Sequence, residues 1–246
     1  MHAIILAGGL GTRLREAVPD LPKPMAPVGG RPFLEYLVRQ LRQQGYRDVV
    51  LCLGYRAEAI RAHFGDGAAL GVRLRYSVEN EPLGTAGALR LAASLLEGGR
   101  WLVLNGDSFF GISFDRLVAR HEDAGATATL ALRRLAEASR FGVVELDRQG
   151  RITHFAAKGA ATTSDGGLVN GGAYVIERTL LEHIAPDRPV SLESEVFAGM
   201  IDAGADWSGQ GLQGVEFEAP FVDIGVPEDY LRLRDNPVSV LAGLAS

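Results

Sequence analysis

The residues able to do chemistry begin at Gly8-Gly9-Leu10-Gly11-Thr12-Arg13, directly after the apolar run Met1–Ala7. Glycine lets a backbone approach an anion closely, and exposed amides between a strand and a helix bind phosphate. A Walker loop needs Gly-Lys-Ser/Thr, which is missing, and a dinucleotide fingerprint fails because its third glycine position is Leu14. Two cations stand nearby instead: Arg13 follows the loop, and Lys23 lies between Pro22 and Pro24. The prolines restrict the backbone around Lys23, so its ammonium is aimed at a smaller entropic cost. Taken singly these are solvated loop charges; beside the glycines they suit a triphosphate. Two carboxylates follow at strand ends, Asp107 after Trp101–Leu104 and Asp223 after Glu216–Val222. With phosphate oxygens and water they suit a hard octahedral Mg²⁺ site. On spacing alone, each is more often a turn or cap residue.

The elements that must position these groups alternate in the first half of the chain. Met1–Ala7 and Val49–Leu53 are continuous apolar runs of buried-strand length. Between them Pro32 opens a helix with Leu34, Leu37, Val38 and Leu41 on one face, and Gly45 ends it. Ala57–Phe64 reads as helix, and Val72, Leu74 and Tyr76 alternate with polar neighbours as a strand. Thr85 is placed to cap a helix carrying Leu89, Ala92, Ala93 and Leu96. Trp101–Leu104 is a strand, and Phe114–Ala124 an amphipathic helix closed by Gly125. Ala128–Leu132 and Gly142–Leu146 read as strands, and the turn Asp147–Gly150 returns the chain through Arg151–Phe155 as a hairpin. Gly159–Gly167 is a polar loop, Ala173–Ile176 a strand, and Val196 to Ile201 mark a helix ending at Gly204. Val215–Val222 is strand-like with an interruption at Pro220, and Pro227 starts the last helix. The expected architecture is one α/β domain over 1–236, Rossmann-like, with a mixed, mostly parallel sheet flanked by helices and a small antiparallel insertion. A short tail, 237–246, follows; Leu231, Leu233 and Val238–Leu244 pack back on the domain or, as the alternative, form a homodimer contact.

Composition removes several function classes. At 246 residues with 47% hydrophobic side chains, the chain can bury a large core without staples. The single cysteine, Cys52, lies in an apolar run and reads as core, and the five scattered histidines form no pair, so a zinc or iron–sulfur site is not expected. A net charge of −5 with no basic stretch argues against nucleic acid as partner. No apolar run reaches membrane-spanning length, and no signal-peptide pattern opens the chain. A reducing cytoplasm is the expected compartment. Trp207 and Ser208 sit in a loop with no readable chemistry.

The text GGLGTRL followed by PKPMAPV resembles the sugar-1-phosphate nucleotidyltransferase family, and the likeness runs along nearly the whole chain: Leu83–Leu89, Asn105–Asp107, Asn170–Tyr174 and Phe221–Tyr230. The resemblance implies an enzyme that joins a nucleoside triphosphate to a sugar 1-phosphate and releases pyrophosphate. It implies Asp107 and Asp223 as the Mg²⁺ ligands, Arg13 on the β- and γ-phosphates and Lys23 near the reacting centre. It places the base and phosphates against Leu6, Ala7, Gly8, Gly9, Gly11, Thr12, Gly84 and Thr85. The sugar phosphate falls to Lys158, Asn170, Gly171 and Glu193. No protein nucleophile is needed, so catalysis is positioning and charge neutralisation.

Two departures stand out. Lys158 lies between Ala157 and Gly159, where relatives carry glutamate and proline. The stretch Arg13-Leu14-Arg15-Glu16-Ala17-Val18 also differs from the usual Arg-Leu-Arg-Pro-Leu-Thr. Within the family, PKPMAPVGGRPFLEYL, LNGDSFF, SLESEVF and FVDIGVPEDY are most similar to the D-glycero-D-manno-heptose 1-phosphate guanylyltransferases, which make GDP-heptose for cell-surface glycans. Mannose 1-phosphate guanylyltransferases and amino-sugar 1-phosphate uridylyltransferases are the next readings. A nicotinamide oxidoreductase lacks its glycine pattern here. A regulatory subunit on the same fold has no need of Arg13, Lys23, Asp107, Asp223 and Lys158 together.

Overall fold

The computed structural model describes residues 1–9, 11–14, 18–19, 21–138, 141, 143–155, 166–186, 188–202, 211–237 and 241, with Arg13 described by its backbone alone. Its elements, in chain order, are β1 (His2–Leu6), β2 (Pro27–Val28), β3 (Arg31–Pro32), α1 (Phe33–Gln43), β4 (Asp48–Leu53), α2 (Ala57–Phe64) and β5 (Arg73–Val78). There follow α3 (Gly84–Ala92), β6 (Arg100–Asn105), β7 (Ser108–Phe110), α4 (Phe114–Ala124), β8 (Ala128–Leu135), β9 (Val143–Leu146), β10 (Ile152–Phe155) and β11 (Gly167–Glu177). A six-residue π-helical turn, Leu192–Phe197, runs into α5 (Ala198–Asp202), then come β12 (Leu212–Glu216), β13 (Phe221–Asp223) and α6 (Pro227–Asp235).

The main sheet has the path β10-β9-β11-β6-β1-β4-β5, with β8 joined to β11 and β12 to β8. Strands β6, β1, β4 and β5 are parallel, and β11 joins β6 antiparallel. From β1 the chain steps outward to β4 and β5, then crosses back to β6 on the other side of β1. That reversal makes the carboxyl ends of β1 and β6 a topological switch point, where open α/β sheets bind ligands. Strands β1, β4 and β6 are buried on both faces, as their continuous apolar text requires, and the edge strand β5 alternates buried and more exposed residues. Ala3 and Ile5 of β1 and Leu102 and Leu104 of β6 join the core formed with α1, α2 and α4. Ile4, Trp101 and Val103 face the opposite core, with α3 and the π-helical turn.

Most expected elements occur. Helix α4 has the expected ends: Ser113 caps it by accepting from the Arg116 amide, and Gly125 leaves it in the left-handed region. Cys52 is a buried free thiol. Three expectations are corrected. Thr85 is not a cap, since α3 begins at Gly84 after Leu83 and has no side-chain cap. The strand expected at Ala173–Ile176 extends over Gly167–Glu177, because Asn170–Ala173 form a bulge within it rather than a turn ahead of it. The single run Val215–Val222 is two strands in different sheets: β12 ends at Glu216, and β13 follows Pro220, which has no amide to offer a ladder. The expected helix at Val196–Ile201 opens as a π-helical turn, and its expected stop, Gly204, lies outside the described residues. So do 159–165 of the polar loop, Trp207 and Ser208, and most of the tail. Leu233 and Leu241 are buried in the core, and Leu231 is exposed.

Candidate active site

The carboxyl ends of β1 and β6 are fastened together, the Gly106 amide donating to the Leu6 carbonyl at 2.8 Å. A Cβ on Gly106 would stand 2.8 Å from that same carbonyl oxygen, so only glycine lets the two strand ends meet. Over this junction lies a cleft of about 250 Å³. One wall is the end of β1 and its loop: Leu6, Ala7, Gly8 and Gly9. Asn105 lines it from the end of β6 with Gly106 and Asp107 just beyond, Lys23 and Pro24 from the proline-flanked segment, Glu79 and Pro82 from the stretch between β5 and α3, and Gly84, Thr85 and Ala88 from α3 itself.

Pairing of β13 with β7 brings the two distant aspartates together. Asp223 is in register with Ser108, the residue after Asp107, and the Ile224 amide donates to the Asp107 carbonyl at 2.9 Å. Asp223 therefore comes beside Asp107 from a small antiparallel sheet and not from a parallel strand end, and neither it nor Asn170, Gly171 and Glu193 is among the residues that line the cleft. Lys23 Nζ donates to Asp107 Oδ2 at 2.6 Å. A Cβ on Gly225 would lie 2.6 Å from Asp223 Oδ1 and 3.3 Å from Lys23 Nζ, so this ammonium also stands beside the second carboxylate. The Lys23 segment is secured from below, where Tyr230 of α6 donates to the Pro27 carbonyl and Tyr36 of α1 to that of Val28. Gly11 packs on the lysine, its φ of +59° and the nearness of Lys23 Cβ excluding a side chain there. Thr12 opens a short 3₁₀ turn, Thr12–Leu14, and neither it nor Gly11 lines the cleft. The side chain of Arg13, and Lys158 entirely, lie outside what is described.

Sequence reasoning missed Glu79. It follows β5, and its Oε2 accepts from the Leu83 amide at 3.1 Å. Cβ atoms on Gly8 and Gly54 would meet its Oε1 at 2.8 and 2.7 Å, so the carboxylate lies directly over the loop glycines. Burial pushes its pKa up, against the lowering effect of the Leu83 amide. The readable signal was an acid at the end of a strand, just ahead of a Pro-Leu-Gly turn. That turn is itself clasped from outside: Thr85 Oγ1 accepts from the Leu192 amide at 2.8 Å, and the Ala86 amide donates to the Val190 carbonyl at 2.9 Å.

A second group of polar residues continues from the cleft. Asn170 Nδ2 donates to Glu193 Oε1 at 2.9 Å, and both meet the buried hydroxyl of Tyr174. Gly171 is pressed against the Phe110 ring and the Ala131 carbonyl, leaving no room for a Cβ. Among the described residues no group of three or more His, Cys, Asp or Glu side chains is placed to hold a metal ion. A metal held by Asp107 and Asp223 alone therefore needs ligands from substrate and water.

A parallel sheet with a switch-point crevice, a glycine loop, a cation and paired carboxylates defines a phosphate-handling α/β enzyme. Residues 2–236 match the nucleotidyl transferase family, and the chain belongs to it. It is thus a nucleotidyltransferase. Over 236 residues, 96% of this chain and 100% of the relative, it is 36% identical to the D-glycero-alpha-D-manno-heptose 1-phosphate guanylyltransferase of Campylobacter jejuni. It is 36% identical over 232 residues to the mannose-1-phosphate guanylyltransferase of Mycobacterium tuberculosis, covering 94% of this chain and 63% of that longer one. Among solved structures, HddC from Yersinia pseudotuberculosis complexed with GMP-PN superposes with a TM-score of 0.81 at 29% identity, over 95% of this chain and 98% of that one. No helix of the described residues is long and apolar enough to cross a membrane.

Proposed function

We propose that this enzyme transfers guanylate from GTP to D-glycero-α-D-manno-heptose 1-phosphate, giving GDP-heptose and pyrophosphate. The observation that carries the base is Glu79, whose carboxylate lies in the cleft over Gly8 and Gly54. Guanine alone among the common bases presents two adjacent donors, N1–H and N2–H, and a carboxylate accepts both. Uracil and thymine set carbonyl oxygens beside their single N–H, which a carboxylate repels. The sugar rests on the Campylobacter relative, which this chain matches from end to end of that protein. The second reading, mannose 1-phosphate, is favoured by the equal 36% identity to the Mycobacterium enzyme.

In this reading an oxygen of the sugar phosphate attacks the α-phosphorus of GTP in line. A new phosphorus–oxygen bond forms, the bond to the β-phosphate oxygen breaks, and its electron pair leaves with pyrophosphate. The glycine-loop amides and Arg13 hold the triphosphate, Leu6–Gly9, Gly84 and Thr85 bound the nucleoside, and Lys23 neutralises charge near the α-phosphate. Lys158, Asn170, Gly171 and Glu193 receive the sugar phosphate. Asp107 and Asp223 fit Mg²⁺: both are hard oxygen donors, and the ammonium of Lys23 already stands as a cation beside both. When bound, Mg²⁺ supplies charge neutralisation at the phosphates. A free buried thiol and GTP as substrate suit a cytoplasmic enzyme. Pyrophosphate release, measured with GTP, UTP, dTTP, CTP and ATP against heptose, mannose, glucose and N-acetylmuramic acid 1-phosphates, tests the assignment. Turnover confined to GTP with the manno-heptose supports it. Turnover with another pair overturns the substrate assignment, and no turnover from folded, nucleotide-binding protein would favour a regulatory subunit.

A further inference from the structure

Tyr174 does not itself line the cleft, yet its hydroxyl joins three elements that build the site. Its ring is 1% exposed, on β11 between Val103 of β6 and Leu130 of β8. The hydroxyl oxygen accepts from Asn105 Nδ2 at 3.2 Å and Asn170 Nδ2 at 2.8 Å, and its hydrogen is donated to Glu193 Oε1 at 3.3 Å. Two lone pairs and one proton are thereby all used. Asn105 ends β6 and lines the cleft two residues before Asp107, Asn170 opens the bulge of β11, and Glu193 sits in the first turn of the π-helical segment. A buried tyrosine needs one partner to be satisfied; this one has three, each from a different element.

We infer that Tyr174 is a positioning residue that fixes the sugar-side acceptors Asn170 and Glu193 relative to the strand end bearing Asp107. The inference rests on the sugar-phosphate assignment of Asn170 and Glu193. Its physical basis is that the one hydroxyl bonds at once to Asn105 at the end of β6 and to Asn170 and Glu193, which also bond to each other. A buried network with every member satisfied holds one geometry, and π-helical turns recur where a side chain must be aimed. The ring has its own packing against Phe197, with centroids 5.7 Å apart. Tyr174→Phe therefore removes the link and keeps the packing.

The test compares steady-state kinetics of Tyr174→Phe and wild type on whichever nucleotide and sugar pair the wild type turns over. The expected result is a KM for the sugar 1-phosphate raised about tenfold, as loss of a net hydrogen-bond contribution implies. The dissociation constant for nucleotide, read by fluorescence of a labelled analogue without sugar, stays within about twofold. Glu193→Gln in both backgrounds gives non-additive effects on that KM. Phe197→Leu, which disturbs packing and spares the hydroxyl, lowers Tm and leaves the ratio of the two affinities unchanged. Equal weakening of both ligands, or additive effects with Glu193→Gln, overturns the inference. If Tyr174→Phe does not fold, Tyr174→Met, which also removes the hydroxyl and fills the space with an adaptable apolar side chain, decides in its place by the same KM ratio. Failure of the guanylyl-heptose assignment reads differently, as a wild type that prefers another pair.

Discussion

Exchanging Glu79 for glutamine keeps the shape of the side chain and removes its charge. The Leu83 amide still finds an acceptor, so the Pro-Leu-Gly turn stays in place. What changes is the edge over Gly8 and Gly54, where one acceptor oxygen becomes an NH₂ donor. Against guanine, that replaces a charge-assisted hydrogen bond by a clash of donors. A hydrogen bond to a charged group contributes about 1.5–3 kcal/mol, which is roughly a 10- to 150-fold loss in kcat/KM for GTP. Against uracil, an amide is complementary to the N3–H and neighbouring carbonyl, so UTP should lose little or gain. The expected ratio of GTP to UTP kcat/KM therefore falls by about two orders of magnitude. Burial raises the Glu79 pKa, so its ionised fraction is lost at a higher pH than for an ordinary carboxyl at 4.5. The wild-type KM for GTP should accordingly rise on acidification while still above that value, and the glutamine variant should lack this limb. Pyrophosphate-coupled kinetics with both nucleotides measures all of this. An unchanged GTP-to-UTP ratio in Glu79→Gln would refute the base-reading argument.

Other perturbations separate chemistry from stability. Asp107→Asn should lower kcat at least about 100-fold. Its Tm should move only a few degrees, because the Asp107 side chain is 38% exposed and its pairing with Lys23 contributes little to folding; wild-type-like turnover would sink its placement as a metal ligand. Gly84→Ala forces a side chain into a φ of +71° and against the Val190 carbonyl, opening the clasp to Leu192. A loss of more than about 1 kcal/mol, or a Tm drop of several degrees, is expected in thermal melts. Burial lowers the pKa of His121, against the opposing bond to Glu177. For Glu177, burial alone would raise the pKa, but bonds from His121 and Arg100 outweigh it and lower it. Both groups bind protons less readily when folded, so the His121 contribution is complete above 6.5, the ordinary histidine value, and is lost as pH falls below it, while that of Glu177 is lost only below its ordinary 4.5. Urea unfolding against pH should show that loss, and His121→Gln should flatten its upper part.

What was legible in the sequence was local. Helix α4 could be bounded from its amphipathic span and Gly125, and α1 from Pro32 and its apolar face, because stop signals and periodicity act within a few residues. The buried strands β1 and β4 announced themselves as apolar runs. The glycine loop, Lys23 and Asp107 were readable for the same reason, each lying directly beside a recognisable strand end or proline pair. Other features depend on pairing across the chain. Asn170-Gly171-Gly172 has the text of a turn, and only the β8–β11 register turns it into a bulge. Thr85 has the text of a cap, but its hydroxyl is used by the distant Leu192 amide. Glu79 and the Tyr174 hydroxyl escaped because the groups that place them at the site, Gly8 and Gly54 for one and Asn105 and Glu193 for the other, lie far away in sequence. Asp223 was singled out, but its route to Asp107 runs through the β7–β13 ladder.

Guanylyl transfer to a manno-configured heptose 1-phosphate is tested most directly by competition. Purified enzyme with Mg²⁺ would be given GTP, UTP, dTTP, CTP and ATP at equal concentration, together with D-glycero-α-D-manno-heptose 1-phosphate and mannose 1-phosphate. Mass spectrometry of the nucleotide sugars formed reports base and sugar at once. GDP-heptose as the dominant product is the predicted result. A UDP- or dTDP-linked product would contradict the reading of Glu79, and GDP-mannose in excess of GDP-heptose would contradict the choice of sugar.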